Sequence, residues 1–463
     1  MNVARGYTTG DTIVARATPR GASALSIVRL SGAQAVAISA SVFEGKDLSG
    51  VPTHTASVGY LRSDDEGAVD HVVATVFLSP STATGEDIVE FTCHGGDVAS
   101  DEALRILVQA GARMAGPGEF TFRAFLNGKI DLAQAEAIGD LIHAKSVRSN
   151  RVSIAHLRGE YSSELSIVRA SLLELLALIE LELDFSEEDV EFADKARLEG
   201  LLNQALLKIG ALASSFRLGN ALAKGVRVVI AGKPNAGKST LMNAILGYDR
   251  VIVSEVPGTT RDEIEASIIY NGIAYQFVDT AGIRETTDLI EAEGVKRSEK
   301  ALSTADVLLY LVDITSPGSA EDVIWARGLP DQISGLAVLV VGNKVDMAGA
   351  ASPAAFDLKL SAKSLGQNES DLGDLMGLIE RISIGNEVFA EEQQIVTSQR
   401  HQVHLVAARE AALRAQSQLR SGGSGDMLSS DVRSIVEHIG SITGEVTNED
   451  VLSQIFSSFC IGK

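Results

Sequence analysis

The residues best suited to chemistry stand in the run Gly232-Lys233-Pro234-Asn235-Ala236-Gly237-Lys238-Ser239. Its G-x-x-x-x-G-K-S spacing is that of a loop whose backbone N–H groups cradle phosphate. Before it, Val226-Arg227-Val228-Val229-Ile230 reads as a buried strand; after it, Thr240-Leu241-Met242-Asn243-Ala244-Ile245-Leu246 reads as a helix. The glycines let the backbone close around phosphate oxygens, and the helix N-terminus faces their charge. Lys238 is placed for the outer phosphates and the Ser239 hydroxyl for Mg²⁺. Asn235, Ala236, Gly237, Lys238, Ser239 and Thr240 are therefore candidates for nucleotide contact.

Three further runs follow, each after an apolar, strand-like segment. Asp279-Thr280-Ala281-Gly282 ends Tyr275-Gln276-Phe277-Val278. It offers an Asp to the Mg²⁺ shell and a Gly N–H to a γ-phosphate. Asn343-Lys344-Val345-Asp346 ends Val338-Leu339-Val340-Val341. The Asp346 carboxylate can accept two hydrogen bonds from the guanine edge, a donor pair adenine lacks, so it selects by leaving a charge unpaired on the wrong base. Ser361-Ala362-Lys363 has the pattern of a last guanine-contact loop. Any one of these runs reads equally as a turn at a strand end. Together, in this order, they imply a guanine-nucleotide hydrolase that uses GTP and Mg²⁺.

Two positions bear on how such an enzyme activates water. The residue after Gly282 is Ile283, where Ras-type GTPases place a Gln. An aliphatic chain cannot orient water, so another residue, a partner or an ion must. Arg284, Glu285, Asp288, Glu291 and Glu293 lie just downstream. Asn235 either stabilises a turn or presents its carbonyl to a monovalent cation beside the phosphates. In the second case the ion neutralises developing charge. The run Ser254-Glu255-Val256-Pro257-Gly258-Thr259-Thr260-Arg261-Asp262 follows at switch distance. Thr260 is the natural second hydroxyl for Mg²⁺, and Ser254, Val256 and Thr259 complete a candidate K⁺ shell with Asn235.

The elements that must hold these runs divide a chain of 463 residues. Its 45% hydrophobic and 22% charged residues are an ordinary globular balance. A net charge of −21 excludes a broad basic face for nucleic acid and leaves room for a local basic patch. Two cysteines, Cys93 and Cys460, exclude a disulfide framework and a Cys-rich zinc site and fit a reducing compartment. No signal-like N-terminus and no apolar run long enough for a bilayer are present, so the expectation is a cytoplasmic protein with no membrane association. Strand-like runs Thr12–Ala15, Ser26–Leu30, His71–Phe77 and Ile88–Thr92, with a helix over Ala99–Gly111, predict an α+β N-terminal domain over 1–127. Helical periodicity over 128–219 resumes over 386–463, and the nucleotide runs occupy 220–385. The predicted fold class is multidomain, α+β and α/β: a helical domain interrupted by an inserted, Ras-like doubly wound α/β domain, behind the N-terminal domain. The acidic run from Glu182 to Glu191 reads as a solvated helix end. The thiol of Cys460, in Phe459-Cys460-Ile461-Gly462-Lys463, is either available for chemistry or incidental.

The whole chain resembles the MnmE/TrmE family of tRNA-modification GTPases. The resemblance rests on Gly232–Ser239, Gly258-Thr259-Thr260-Arg261-Asp262, Asp279–Arg284, Asp288-Leu289-Ile290-Glu291 with Gly294, and the run Phe459–Lys463. In the N-terminal domain it rests on Asp11–Ala15, Thr84-Gly85-Glu86-Asp87, Cys93-His94-Gly95-Gly96, Pro117–Thr121 and Asn127–Leu132. It implies an N-terminal domain that dimerises and binds 5-formyltetrahydrofolate or a related one-carbon folate through Arg29, Glu86, Lys129 and Lys463. It implies catalytic roles for Glu291 and Cys460, K⁺ activation, and a homodimer that works with the flavoprotein MnmG as a heterotetramer. The implied product is an aminomethyl or carboxymethylaminomethyl group on carbon 5 of the wobble uridine, position 34, of certain tRNAs, with tRNA held mainly by the partner. Pro19-Arg20-Gly21-Ala22-Ser23-Ala24 departs from the family's Pro-Gly-Arg-Gly-Gly, and a left-handed backbone at Ser23 or Ala24 would be strained. Two rivals stand beside this reading. One is a ribosome-assembly GTPase acting as an RNA-binding switch, which has no need of Cys460 and Lys463. The other is a polymerising structural GTPase, which the lack of a membrane-binding helix or polybasic run disfavours.

Overall fold

A computed structural model describes residues 10–63, 67–184, 195–247, 265–279, 302, 304–330, 333, 336–347, 355–365, 369–385, 394–422 and 424–462. They fall into two compact units. Unit 1 combines 1–139, 156–169 and 436–463; unit 2 combines 140–155 and 170–435. The divisions expected at 127, 219 and 385 lie inside these units. The long helices Glu160–Asp184 and Gly425–Thr443 contribute residues to both.

In unit 1 a seven-stranded sheet runs β3-β4-β5-β6-β2-β1-β7. The strands are β1 Ile13–Arg16, β2 Leu25–Ser31, β3 Phe43–Glu44, β4 Thr55–Ser63, β5 Gly67–Phe77, β6 Ile88–His94 and β7 Arg113–Met114. All pairs are antiparallel except β1 with β7. Strand β4 alternates buried and exposed residues, with Ser57, Gly59, Leu61 and Ser63 inward. That period of two is what a sheet with one covered face produces. Gly59 is required there, because a Cβ would lie 2.5 Å from the Phe43 ring. The helices Ala35–Val42 and Asp97–Gln109 supply apolar cover, including Ile38, Leu104 and Leu107.

A second apolar cluster of unit 1 joins residues far apart in sequence. Phe122, on the helix Glu119–Leu126, and Leu132 and Ala135, on Leu132–His143, pack with Phe456 of Glu449–Ser457. The Phe122 and Phe456 rings meet edge to face at 5.2 Å, a geometry the aromatic quadrupoles favour. Beyond that helix Ile461 bridges Pro117 in antiparallel fashion. Gly118 N–H donates to the Cys460 carbonyl at 3.3 Å.

Unit 2 holds a six-stranded sheet ordered β13-β12-β11-β8-β10-β9. These are β8 Val226–Ala231, β9 Glu265–Tyr270, β10 Ile273–Asp279, β11 Val307–Asp313, β12 Ala337–Asn343 and β13 Leu358–Lys359. Only β9 is antiparallel to its neighbour. The near-continuous apolar run of β11 is buried on both faces, as parallel strands covered on both sides must be. The parallel strands β8, β10, β11 and β12 therefore bring Ala231, Asp279, Asp313 and Asn343 to one edge. Helices Gln399–Ser421 and Lys195–Ser214 also belong to this unit. Among the described residues no helix is long and apolar enough to cross a membrane.

Phe456→Ala should cost about 3–5 kcal/mol of unfolding free energy, since it empties a closed aromatic cluster. Urea unfolding followed by near-UV circular dichroism measures this, and an unchanged midpoint would contradict it.

Candidate functional site

The phosphate loop leaves β8 through Gly232, whose φ of +151° and approach to Leu311 admit no side chain: a Cβ would lie 2.3 Å from the Leu311 carbonyl. Asn235 takes φ +65° and Gly237 φ +100° as the chain turns into the helix Lys238–Leu246. Left-handed backbone is tolerated by Asn and is natural for Gly. Asn235, Ser239 and Thr240 are exposed, while Ala236 and Lys238 are buried. Lys238 Nζ donates to the carbonyls of Gly232 and Lys233 at 2.9 and 3.1 Å, so its ammonium lies across the loop mouth. Ser239 Oγ lies 3.4 Å from Asp279 Oδ2, which brings the two candidate Mg²⁺ oxygens together.

Asn343 ties the loops to one another. Its Nδ2 donates to the Ala236 carbonyl at 2.7 Å, and its Oδ1 accepts from Ala362 N–H at 2.8 Å. Ser361 and Ala362 are buried and Lys363 is exposed. Lys344 has φ +70° and donates to Asp313 Oδ2 at 2.6 Å. Asp346 is exposed in the turn Val345–Met347. Thr259, Thr260, Ser254, Val256, Thr280, Ala281, Gly282 and Glu291 lie outside the described residues.

Two carboxylates unforeseen in the sequence grip lysines of these loops. Asp313 holds Lys344, and Asp322 of the helix Ser319–Arg327 holds Lys233 at 2.6 Å. Asp313 ends β11 and Asp322 lies on the helix that follows it, so this part of the chain braces the phosphate end and the base end of the site alike. Burial raises the Asp313 pKa. Hydrogen bonds from Lys344 and from the Thr315 hydroxyl and N–H outweigh it and hold the carboxyl below its ordinary value.

In unit 1 the candidate folate residues lie along the helix Glu119–Leu126, Arg29 at Phe120, Glu86 at Arg123 and Lys129 just past its end. Arg29 Nε donates to Glu90 at 2.6 Å, and its guanidinium lies over the Phe120 ring at 5.8 Å. Glu86 accepts from Ser31 Oγ at 2.7 Å and from Arg123. Lys129 is exposed and donates to the Pro80 carbonyl at 2.8 Å. Its stem lies beside Gly85, where a Cβ would meet Lys129 Cγ at 3.3 Å. Arg123 also donates to Asp11 Oδ1 at 2.6 Å and to Glu119 Oε1 at 3.1 Å. Arg113 joins both acids. Glu119 is fully buried and Arg123 nearly so. Their burial is sustainable because each charge meets opposite charges. Hydrogen bonds to Glu119 and Asp11 raise the Arg113 pKa, so this network stays charged.

Cys460 is exposed and Gly462 is buried against Arg16, where a Cβ would lie 2.3 Å from the carbonyl. Lys463 lies outside the described residues. Cys93, by contrast, is fully buried, and burial pushes its thiol pKa up to about 12. The loop Pro19–Ala24 is not strained as the altered sequence threatened. Only Gly21 takes a left-handed φ, +114°, and its N–H donates to Asp97 Oδ1 at 2.9 Å. The close approach falls instead at Gly95, where a Cβ would meet the Ser23 carbonyl at 2.0 Å.

A phosphate loop facing a carboxylate, and an acid-tipped turn on the same edge of a doubly wound sheet, define a P-loop GTPase. The comparisons narrow the class. A model of the MnmE helical domain matches residues 132–460, and one of the GTP-binding protein TrmE N-terminus matches 12–129. The tRNA modification GTPase MnmE of Salinibacter ruber is 50% identical, over 98% of this chain and 99% of its own. That of Cytophaga hutchinsonii is 44% identical over 98% of each, and that of Chlorobium phaeobacteroides 43% over 98% and 97%. Among solved structures, the G domain of the T. maritima FeoB iron transporter covers 34% of this chain and 98% of its own, at 20% identity and a TM-score of 0.24, too slight a likeness to build on. The chain belongs to the MnmE family of tRNA modification GTPases.

Asn343→Ala orphans the Ala236 carbonyl and the Ala362 N–H together, so guanine-nucleotide affinity should fall at least tenfold. Isothermal titration with GDP measures it. The Lys344–Asp313 pair stabilises the fold above the ordinary Asp range, and that contribution is lost as pH falls through the depressed folded value. Asp313→Asn should therefore be less stable than the wild type from pH 8 to 5, with the gap closing below about pH 4. Urea midpoints across pH test this.

Proposed function

We propose that this GTPase acts on tRNA as a K⁺-activated homodimer in the cytoplasm. With the flavoprotein MnmG it installs an aminomethyl or carboxymethylaminomethyl group on carbon 5 of uridine 34. The observation that carries the nucleotide half is the convergence of Lys238, Ser239 and Asp279 at one sheet edge. Ser239 and Asp279 are hard oxygen donors and fit Mg²⁺, with Thr260 in the same role. Mg²⁺ supplies charge neutralisation at the phosphates. Lys238 would exchange the loop carbonyls for phosphate oxygens. Asp346 would accept the guanine N–H pair and reject adenine.

The left-handed backbone and exposure of Asn235 at the phosphate loop support a K⁺ role for it. Ser254, Val256 and Thr259 complete that reading, and Glu291 orients water in place of the missing Gln. In unit 1 the folate reading rests on Arg29, Glu86 and Lys129 along one short helix, whose start adjoins the tail that carries Cys460. A one-carbon folate bound there would meet Cys460 and Lys463. The four-part division 1–127, 128–219, 220–385 and 386–463 belongs to the same reading.

Glu291→Ala should slow GTP hydrolysis by roughly one to three orders of magnitude with nucleotide affinity little changed. Turnover in K⁺ should exceed that in Na⁺, and Asn235→Ala should abolish the difference. Phosphate-release assays in matched salts decide it; equal rates in both salts would defeat the K⁺ assignment. Cys460→Ser should leave hydrolysis near normal while nucleoside analysis of cellular tRNA shows the modified uridine lost.

A further inference from the structure

Between Asp140 and Glu160 the sequence contains Lys145, Arg148, Arg151 and Arg158 and neither Asp nor Glu. Arg148 and Arg151 stand three residues apart on the helix Val147–Leu157 and so share one side of it, and Lys145 lies two residues before its start. Lys145 and Arg151 are exposed and Arg148 is half-buried. Lys145 Nζ donates to the Lys224 carbonyl at 3.1 Å, and Lys224 is itself exposed. Lys145, Arg148, Arg151 and Lys224 have no ion pair among the described residues. Unpaired cations held together cost self-repulsion and are relieved by a polyanion.

The same segment is attached to the GTPase sheet. Ser146 Oγ bonds the Gly272 carbonyl and also accepts from Ser149 N–H at 3.1 Å, capping the helix. A Cβ at Gly272 would lie 2.9 Å from Arg148 Cβ, so the Arg148 stem covers the turn between β9 and β10. Strand β10 starts one residue later and ends at Asp279.

We infer that Lys145, Arg148, Arg151 and Lys224 form the surface through which this chain contacts the phosphate backbone of tRNA. The inference rests on the proposed action on tRNA and adds where this chain touches it. The contact is small, as the acidic whole requires, and it reads charge and not sequence. Because it is anchored at one end of β10 and Asp279 stands at the other, RNA contact and nucleotide site share one rigid strand.

The test measures binding of unmodified tRNA to the full chain by fluorescence anisotropy between about 50 and 200 mM salt. Lys145→Gln/Arg151→Gln spares the packed Arg148 stem. It should make the slope of log affinity against log salt shallower by about 1.5, at ~0.7–0.9 per lost contact, and weaken binding about tenfold at 100 mM. GTP hydrolysis without RNA should stay unchanged, which separates loss of the surface from loss of the fold; if it falls, Lys145→Gln alone carries the test with half the change in slope. Unchanged slope and affinity would overturn the inference. So would wild-type protein that fails to bind tRNA even at 50 mM salt, while GTP hydrolysis would still uphold the enzyme. Unaltered tRNA binding with lost retention of a poly-glutamate peptide would assign the surface to an acidic protein and overturn the inference as well.

Discussion

The nucleotide site depends on one amide. Asn343 holds the Ala236 carbonyl with one end and the Ala362 N–H with the other, so three loops share a single planar group. Each loop alone has more freedom than function allows. A buried amide satisfied at both ends removes that freedom, since breaking either bond strands a polar group away from water. The close approach at Gly237 follows from it: a Cβ there would lie 2.3 Å from Asn343 Nδ2 itself. The carboxylates of Asp313 and Asp322 act one step further out, on lysines of the same loops.

Unit 1 follows a different economy. Its candidate site is organised by charge, with Arg123 joined to Asp11, Glu86 and Glu119 around a helix start. The tail beyond Ser457 is positioned by backbone, through Pro117, Gly118 and Arg16, and leaves the Cys460 side chain exposed. A cysteine presented by an anchored main chain differs physically from one on a loose end. Its buried counterpart Cys93 has the opposite environment and an inert thiol.

The phosphate loop was legible in the sequence because its chemistry demands fixed residue types at fixed spacing. The strands before Gly232, Asp279 and Asn343 were legible because buried parallel strands are continuously apolar. Strand β4 went unnoticed: Ser57, Gly59 and Ser63 on its inner face break the apolar alternation. Asn343 read as a nucleotide contact, but its partners are 107 and 19 residues away, and no local pattern reveals a tie of that length. No local pattern marks Asp313 and Asp322, because only the fold sets them against Lys344 and Lys233. Glu119 and Arg123 stood within or beside runs that carried the family resemblance, yet their mutual burial is a tertiary fact. The feared strain at Ser23 and Ala24 dissolved because the backbone placed its left-handed residue at Gly21.

The aromatic cluster of unit 1 has a consequence for biosynthesis. Phe122 and Leu132 emerge from the ribosome early, but Phe456, which closes their cluster, is translated only after the entire GTPase sheet. At ordinary elongation rates the gap is roughly half a minute. Throughout it the N-terminal unit exposes an apolar face that it cannot yet cover. Nascent chains should therefore engage holding chaperones at Phe122 and Phe125, and stalled translation before residue 449 should leave a unit prone to aggregate while the sheet of unit 2 has already been made.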